Sequence, residues 1–238
     1  MLWHKAWLET RSRFLICLLG SSALCTFHVY HGYQWRPPWI KPEYYYMVLH
    51  SAHQMLSMLW VVSVTLLMMG GLLREKAVGA ASLTLSLPVS RQRLMGVRIG
   101  MGIIQAMALL VVPWAAMFWI AASSGEAHSA SQAWFHVVLL AGGGTVFFGL
   151  ALLISSLVEG EYTAPVVSFG VVFVLSVVLG DGSLRAYSPF VFMTGTEYLD
   201  RPTQLLVGPI PWLLVAACVG IGWLLTVASV KVIERREF

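Results

Sequence analysis

Charge is scarce in this sequence. Asp, Glu, Lys and Arg make up 11% of its 238 residues, against about a quarter in a soluble domain of ordinary composition. Phosphate-cradling signatures are missing: there is no GxxxxGK[ST] and no Gly-Lys pair anywhere. The chain therefore holds no P-loop of its own. GxSxG and HExxH are missing too, which removes two common hydrolase signatures. Cysteine is limited to Cys17, Cys25 and Cys218, all inside apolar runs. They read as small buried hydrophobes, with no disulfide to infer. No internal repeat and no low-complexity segment interrupts the chain.

What is present is apolar. Hydrophobic residues make up 58% of the chain, with ten tryptophans and a mean hydropathy of +0.76. The few charges fall in short segments between long apolar runs, the pattern of a multi-spanning membrane protein built as one domain. The pI near 9.1 does not point to nucleic acid, because the basic residues are juxtamembrane, where orientation in the bilayer explains them.

About 20 apolar residues are needed to cross roughly 30 Å of hydrocarbon. Six segments meet or approach that length, at about 14–31, 54–73, 96–122, 133–158, 164–180 and 209–230. The expected fold is therefore all-α, with six transmembrane helices. Pro165 suits a first turn, and Pro113 is expected to kink the third span. If both termini are cytoplasmic, the inside segments carry Lys5, Arg11, Arg13, Arg74, Lys76, Arg91, Arg93, Arg98, Lys231, Arg235 and Arg236. The outside segments carry Arg36, Lys41, Arg185 and Arg201. Eleven against four is a positive-inside bias, and it places residues 74–98 in the cytoplasm.

The N-terminus has the basic start and apolar run of a signal peptide. The apolar character nevertheless continues through Tyr30, so an uncleaved first span is expected. Residues 1–13 read as a separate interfacial helix. Leu2, Trp3, Ala6, Trp7, Thr10 and Phe14 share one face, opposite His4, Lys5, Glu9, Arg11 and Arg13. A frayed polar lead-in to the first span is the alternative. The outer segment 181–208 is rich in apolar and aromatic residues. It is expected to dip into the outer leaflet or to pack on helix ends, because uncovered backbone in lipid is costly.

Three groups of residues are candidates for chemistry. Glu159 and Glu161 flank Gly160 in a cytoplasmic turn; two solvated acids before a helix start explain them as well as catalysis does. Two HxxH pairs, His28/His31 and His50/His53, lie near the outer ends of the first two spans. Four imidazoles are a possible transition-metal or haem site. Counted at about 1.5 Å per residue, however, His28 and His53 differ in depth by roughly 9 Å. Interfacial histidines are the plainer reading. Finally, Gly96, Gly100 and Gly102, Gly142–Gly144 with Gly149, and Gly220 with Gly222 mark close helix approach, within the chain or across a dimer seam.

The segment Gly70–Arg98, GGLLREKAVGAASLTLSLPVSRQRLMGVR, resembles the first cytoplasmic loop of type-2 ATP-binding-cassette (ABC) exporter permeases. The matching residues are Arg74, Glu75, Lys76, Gly79, Leu87, Pro88, Val89, Ser90, Arg91 and Arg98. The resemblance implies a permease subunit in the cell (inner or plasma) membrane, without its own ATPase. Two such subunits, identical or related, would pair and recruit an ABC ATPase subunit that binds ATP and Mg. No cofactor is implied in this chain. It also implies a coupling helix between spans two and three, so that the alternating LTLSLPVS is helical or irregular rather than a strand. On that footing Glu75, Arg91 and Arg93 would make polar docking contacts, and Leu83, Leu85 and Leu87 would anchor the segment under the bundle. Two other readings stand beside it: a membrane-embedded metal- or haem-handling protein using His28, His31, His50 and His53, and an accessory membrane protein with no transport cycle. The residues do not name a cargo, and a lining of Trp, Phe, Met, Ser and Thr suits an amphipathic or apolar one.

Overall fold

The computed structural model describes residues 2–34, 43–68, 90–124, 129–158, 163–180, 182–200 and 202–235. In chain order the helices are α1 (Leu2–Gln34), α2 (Glu43–Met68), α3 (Arg91–Ser123), α4 (Ala130–Leu157), α5 (Thr163–Val178), α6 (Pro189–Thr194) and α7 (Trp212–Arg235). Short 3-10 turns, Gly182–Tyr187 and Thr196–Tyr198, flank α6. Among the described residues there is no strand, only a single bridge between Leu199 and Leu206. Five helices, α1, α2, α3, α4 and α7, are long and apolar enough to cross a membrane. α5 is apolar but has 16 residues, about 24 Å at the helical rise.

The expected boundary between an interfacial helix and a first span is not there. α1 is one helix of 33 residues, about 50 Å long. No proline interrupts it, Lys5 and Glu9 pair one turn apart at 3.7 Å, and the Thr10 hydroxyl donates to the Ala6 carbonyl. On the face that carries Trp3, Trp7, Thr10 and Phe14, protein covers Thr10 and Phe14. Gln105 Nε2 on α3 donates to Thr10 Oγ1 at 2.7 Å, and the Trp3 ring lies over Gly100.

α2 begins eleven residues before the expected start at 54. The segment EYYYMVLHSAH is too polar to register as a span. Even so, Tyr45, Val48, Leu49, Ala52 and Leu56 recur at helical spacing and are all buried. This takes His50 and His53 inside the helix. α3 also starts early, at Arg91, because Ser90 caps it: its hydroxyl accepts from the Arg93 amide. α3 runs through Pro113 as a single helix.

α4 is the central helix, buried along most of its length. α7 packs along it where Gly149 and Gly222 bring the two backbones together. At one end of the bundle, the start of α1 lies against the start of α3, and Met95 of α3 packs with Ile233 of α7. Lys5, Arg11, Arg13, Arg93, Arg98, Lys231 and Arg235 all belong to these three helix ends. At the opposite end, Tyr33 packs edge-on against Tyr45, and Gln132 of α4 exchanges two hydrogen bonds with the backbone of Leu206. The segment expected to lie outside thus packs onto the bundle, the second of the two arrangements expected for it. Phe192 and Met193 of α6 are buried, and Arg185 pairs with Glu197 at 2.8 Å on its exposed side.

Candidate functional site

Two places bring chemically distinctive residues together. The first is a buried histidine cluster in the half of the bundle away from the cationic end. α2 supplies His50 and His53, α4 supplies His136 and α3 supplies Trp114. The His53 and His136 rings meet edge-on with centroids 4.5 Å apart. Trp114 lies 5.6 Å from His53 and 5.3 Å from His136. His53 is fully buried, and the other three are at most 5% exposed.

Hydrogen bonding fixes the tautomers. His136 Nδ1 lies 2.8 Å from the Gln132 carbonyl, which only accepts, so Nδ1 carries the hydrogen and Nε2 is a lone pair. His50 Nδ1, 3.4 Å from that lone pair, must be the donor. His50 Nε2 then accepts from Gln54 Nε2 at 3.1 Å. His53 Nε2 donates to the Met193 carbonyl of α6 at 3.0 Å, which leaves His53 Nδ1 as a bare acceptor. These bonds are directional, and they tie α2 to α4 and to α6.

Four-histidine convergence is not found. His28 Nε2 bonds to the Ser51 hydroxyl at 2.8 Å, and His31 packs on Phe27. Among the described residues no three of His, Cys, Asp or Glu are placed to hold a metal ion. Sequence reasoning found half of the real cluster and missed His136. A lone histidine seven positions into an apolar helix carries no spacing signal, and only the pairing of α2 with α4 reveals it.

The second place is the cationic end of the bundle. Arg93 is exposed on the first turn of α3, and Arg98 lines a shallow groove with Lys5, Glu9 and Leu94. Trp7 packs edge-on against Phe14. Arg11 is exposed and Arg13 half-buried on α1. Arg91 opens α3. Arg74, Glu75, Lys76, Leu83, Leu85, Leu87 and Pro88 lie outside the described residues, as do Glu159 and Glu161. The chain enters and leaves that segment at Met68 and Ser90, and Met68's carbonyl accepts from Ser155 of α4 at 2.9 Å.

Between these two ends an apolar cleft of about 430 Å³ opens among α2, α3, α4 and α7, walled by Trp60, Met107, Phe148 and Trp223. The Thr145 and Thr226 hydroxyls on its wall are bonded to the Gly142 and Gly222 carbonyls, and Trp60 Nε1 donates to Ala106. The glycine groups are largely accounted for by packing within the chain: Gly144 lies under Trp60, Gly102 under Met68 and Gly143 under Met193. Outside the spans, burial pushes the Tyr198 hydroxyl above its ordinary pKa, and the Glu197 carboxylate adds to the shift.

Fold and sites together define an all-helical, multi-pass membrane protein. No known family model matches the chain, and no curated protein matches it.

Proposed function

We propose that this chain is the transmembrane permease subunit of an ABC exporter, with its cationic end facing the cytoplasm of a cell. α5 serves as the sixth span, and residues 69–89 carry the coupling helix that receives a separate ATPase. The observation that carries this reading is the gathering of cations on the ends of α1, α3 and α7. That end lies beside both attachment points of the segment whose sequence resembles an exporter coupling loop. A second permease copy or a related chain completes the pathway. The apolar cleft, whose polar groups are satisfied within the protein, supports an apolar or amphipathic cargo.

The test is association. Isolated from its native membrane, the chain should bring down an ABC ATPase subunit, and alone it should hydrolyse no ATP. Arg91→Glu with Arg93→Glu should abolish the co-purification while leaving the fold intact. A complex that survives both reversals removes the docking assignment, and a native assembly without an ATPase removes the permease reading. Metal and haem analysis of the same preparation tests the histidine alternative.

A further inference from the structure

Four buried side-chain polar atoms among the described residues have no hydrogen-bond partner: Ser22 Oγ, His53 Nδ1, Gln105 Oε1 and Trp114 Nε1. Two of them belong to rings in one cluster. His53 is fully buried and Trp114 is 3% exposed. Their centroids are 5.6 Å apart, and both pack against His136. Unmet polar atoms in such a setting are uncommon and costly, and each calls for a partner.

The chemistry of the two atoms is complementary. His53 Nε2 donates to the Met193 carbonyl, so Nδ1 is an acceptor with nothing donated to it. An indole Nε1–H can only donate. A metal ion would satisfy His53 and leave Trp114 unmet. The remaining lone pairs of His136 and His50 are already engaged. Apart from Glu43 at the start of α2, the helices α2, α3, α4 and α6 carry no Asp or Glu to balance a cation in hydrocarbon. A proton on Nδ1 fails for the same two reasons. A hydroxyl group satisfies both atoms at once: its oxygen accepts from Trp114, and its hydrogen is donated to His53.

We propose that His53 and Trp114 form the binding site for a single hydroxyl group, supplied either by a trapped water or by a lipid-like alcohol. The bound group bridges α2 to α3, a link the histidine network does not itself make. Because this rests on two unmet nitrogens in neighbouring buried rings, it stands or falls separately from any partnership with an ATPase.

The direct test is a high-resolution cryo-electron microscopy map of the whole protein in lipid nanodiscs. Compact density bonded to both nitrogens assigns a water. Extended density, with a hydroxyl-bearing lipid recovered in the organic extract, assigns the alcohol. Density on neither atom, or a stoichiometric transition metal in the purified protein, overturns the proposal. A second measurement uses the sign of a stability change. Trp114→benzothienylalanine keeps the ring's shape and replaces N–H by sulfur. A donor that holds a hydroxyl should lose about 2–4 °C of Tm on this exchange. An unmet donor should lose nothing or gain, and that result also overturns the site.

Discussion

α4 and α7 lie side by side, and both are strongly apolar along their length. Yet 72% of the most apolar window of α4 is buried inside the protein, against 11% for α7. Side-chain size separates them. Gly142, Gly143, Gly144 and Gly149 let α2, α6 and α7 approach the α4 backbone from several directions. α7 meets α4 along one stripe, through Gly222 and through Ser229, whose hydroxyl donates to the Leu152 carbonyl. It turns Leu213, Trp223 and Leu224 outward. Apolarity records that the surroundings are hydrocarbon. Which helix takes the centre is recorded by where the chain leaves side chains out.

Substitutions along these two helices can break that account. Gly222→Val should have the largest effect, because the added carbon runs into the Thr145 carbonyl, and backbone cannot yield as a side chain does. α4 and α7 must separate, and a loss of about 3 kcal/mol or more is expected, read as a lost monodisperse peak and a lowered Tm in detergent. Gly143→Val comes next. A carbon there meets Met193 Cβ and the Pro189 carbonyl, both at 2.9 Å. It should displace α6 and pull Met193 from His53, costing about 2 kcal/mol. Faster hydrogen exchange confined to residues 189–206 is the expected signature. Gly220→Ala should be smallest and opposite in sign. Nothing lies within 4 Å of the new carbon, and alanine improves helix propensity by up to about 1 kcal/mol. A Gly220→Ala variant as damaged as Gly222→Val would end the distinction between the seam and the lipid face.

Much of the plan was legible because charge scarcity shows in composition and long apolar runs are continuous along the chain. The errors fall where polar residues are buried. Tyrosines and histidines lower the apolarity of Glu43–His53 below that of a span, and its helical face is set by the packing of Tyr45, Val48 and Ala52. The separate N-terminal helix was inferred from its charges, but nothing in the chain breaks α1 at that point. α6 has local signals in the sequence: Ser188 as its cap, Pro189 in its first turn and Gly195 in the left-handed region at φ 73°. The histidine cluster joins α2 to α4 across 86 positions, a separation no spacing rule covers.

The length of α3 has a mechanical consequence. A rod of 33 residues, about 50 Å, swung through about 10° around its midpoint carries each end about 4 Å in opposite directions. α3 joins the cationic end of the bundle to the neighbourhood of the histidine cluster. Pro113, about two-thirds of the way along, withholds one hydrogen bond from the rod just before Trp114. Any bend of this rod would therefore fall first beside Trp114 and the histidine rings it packs against.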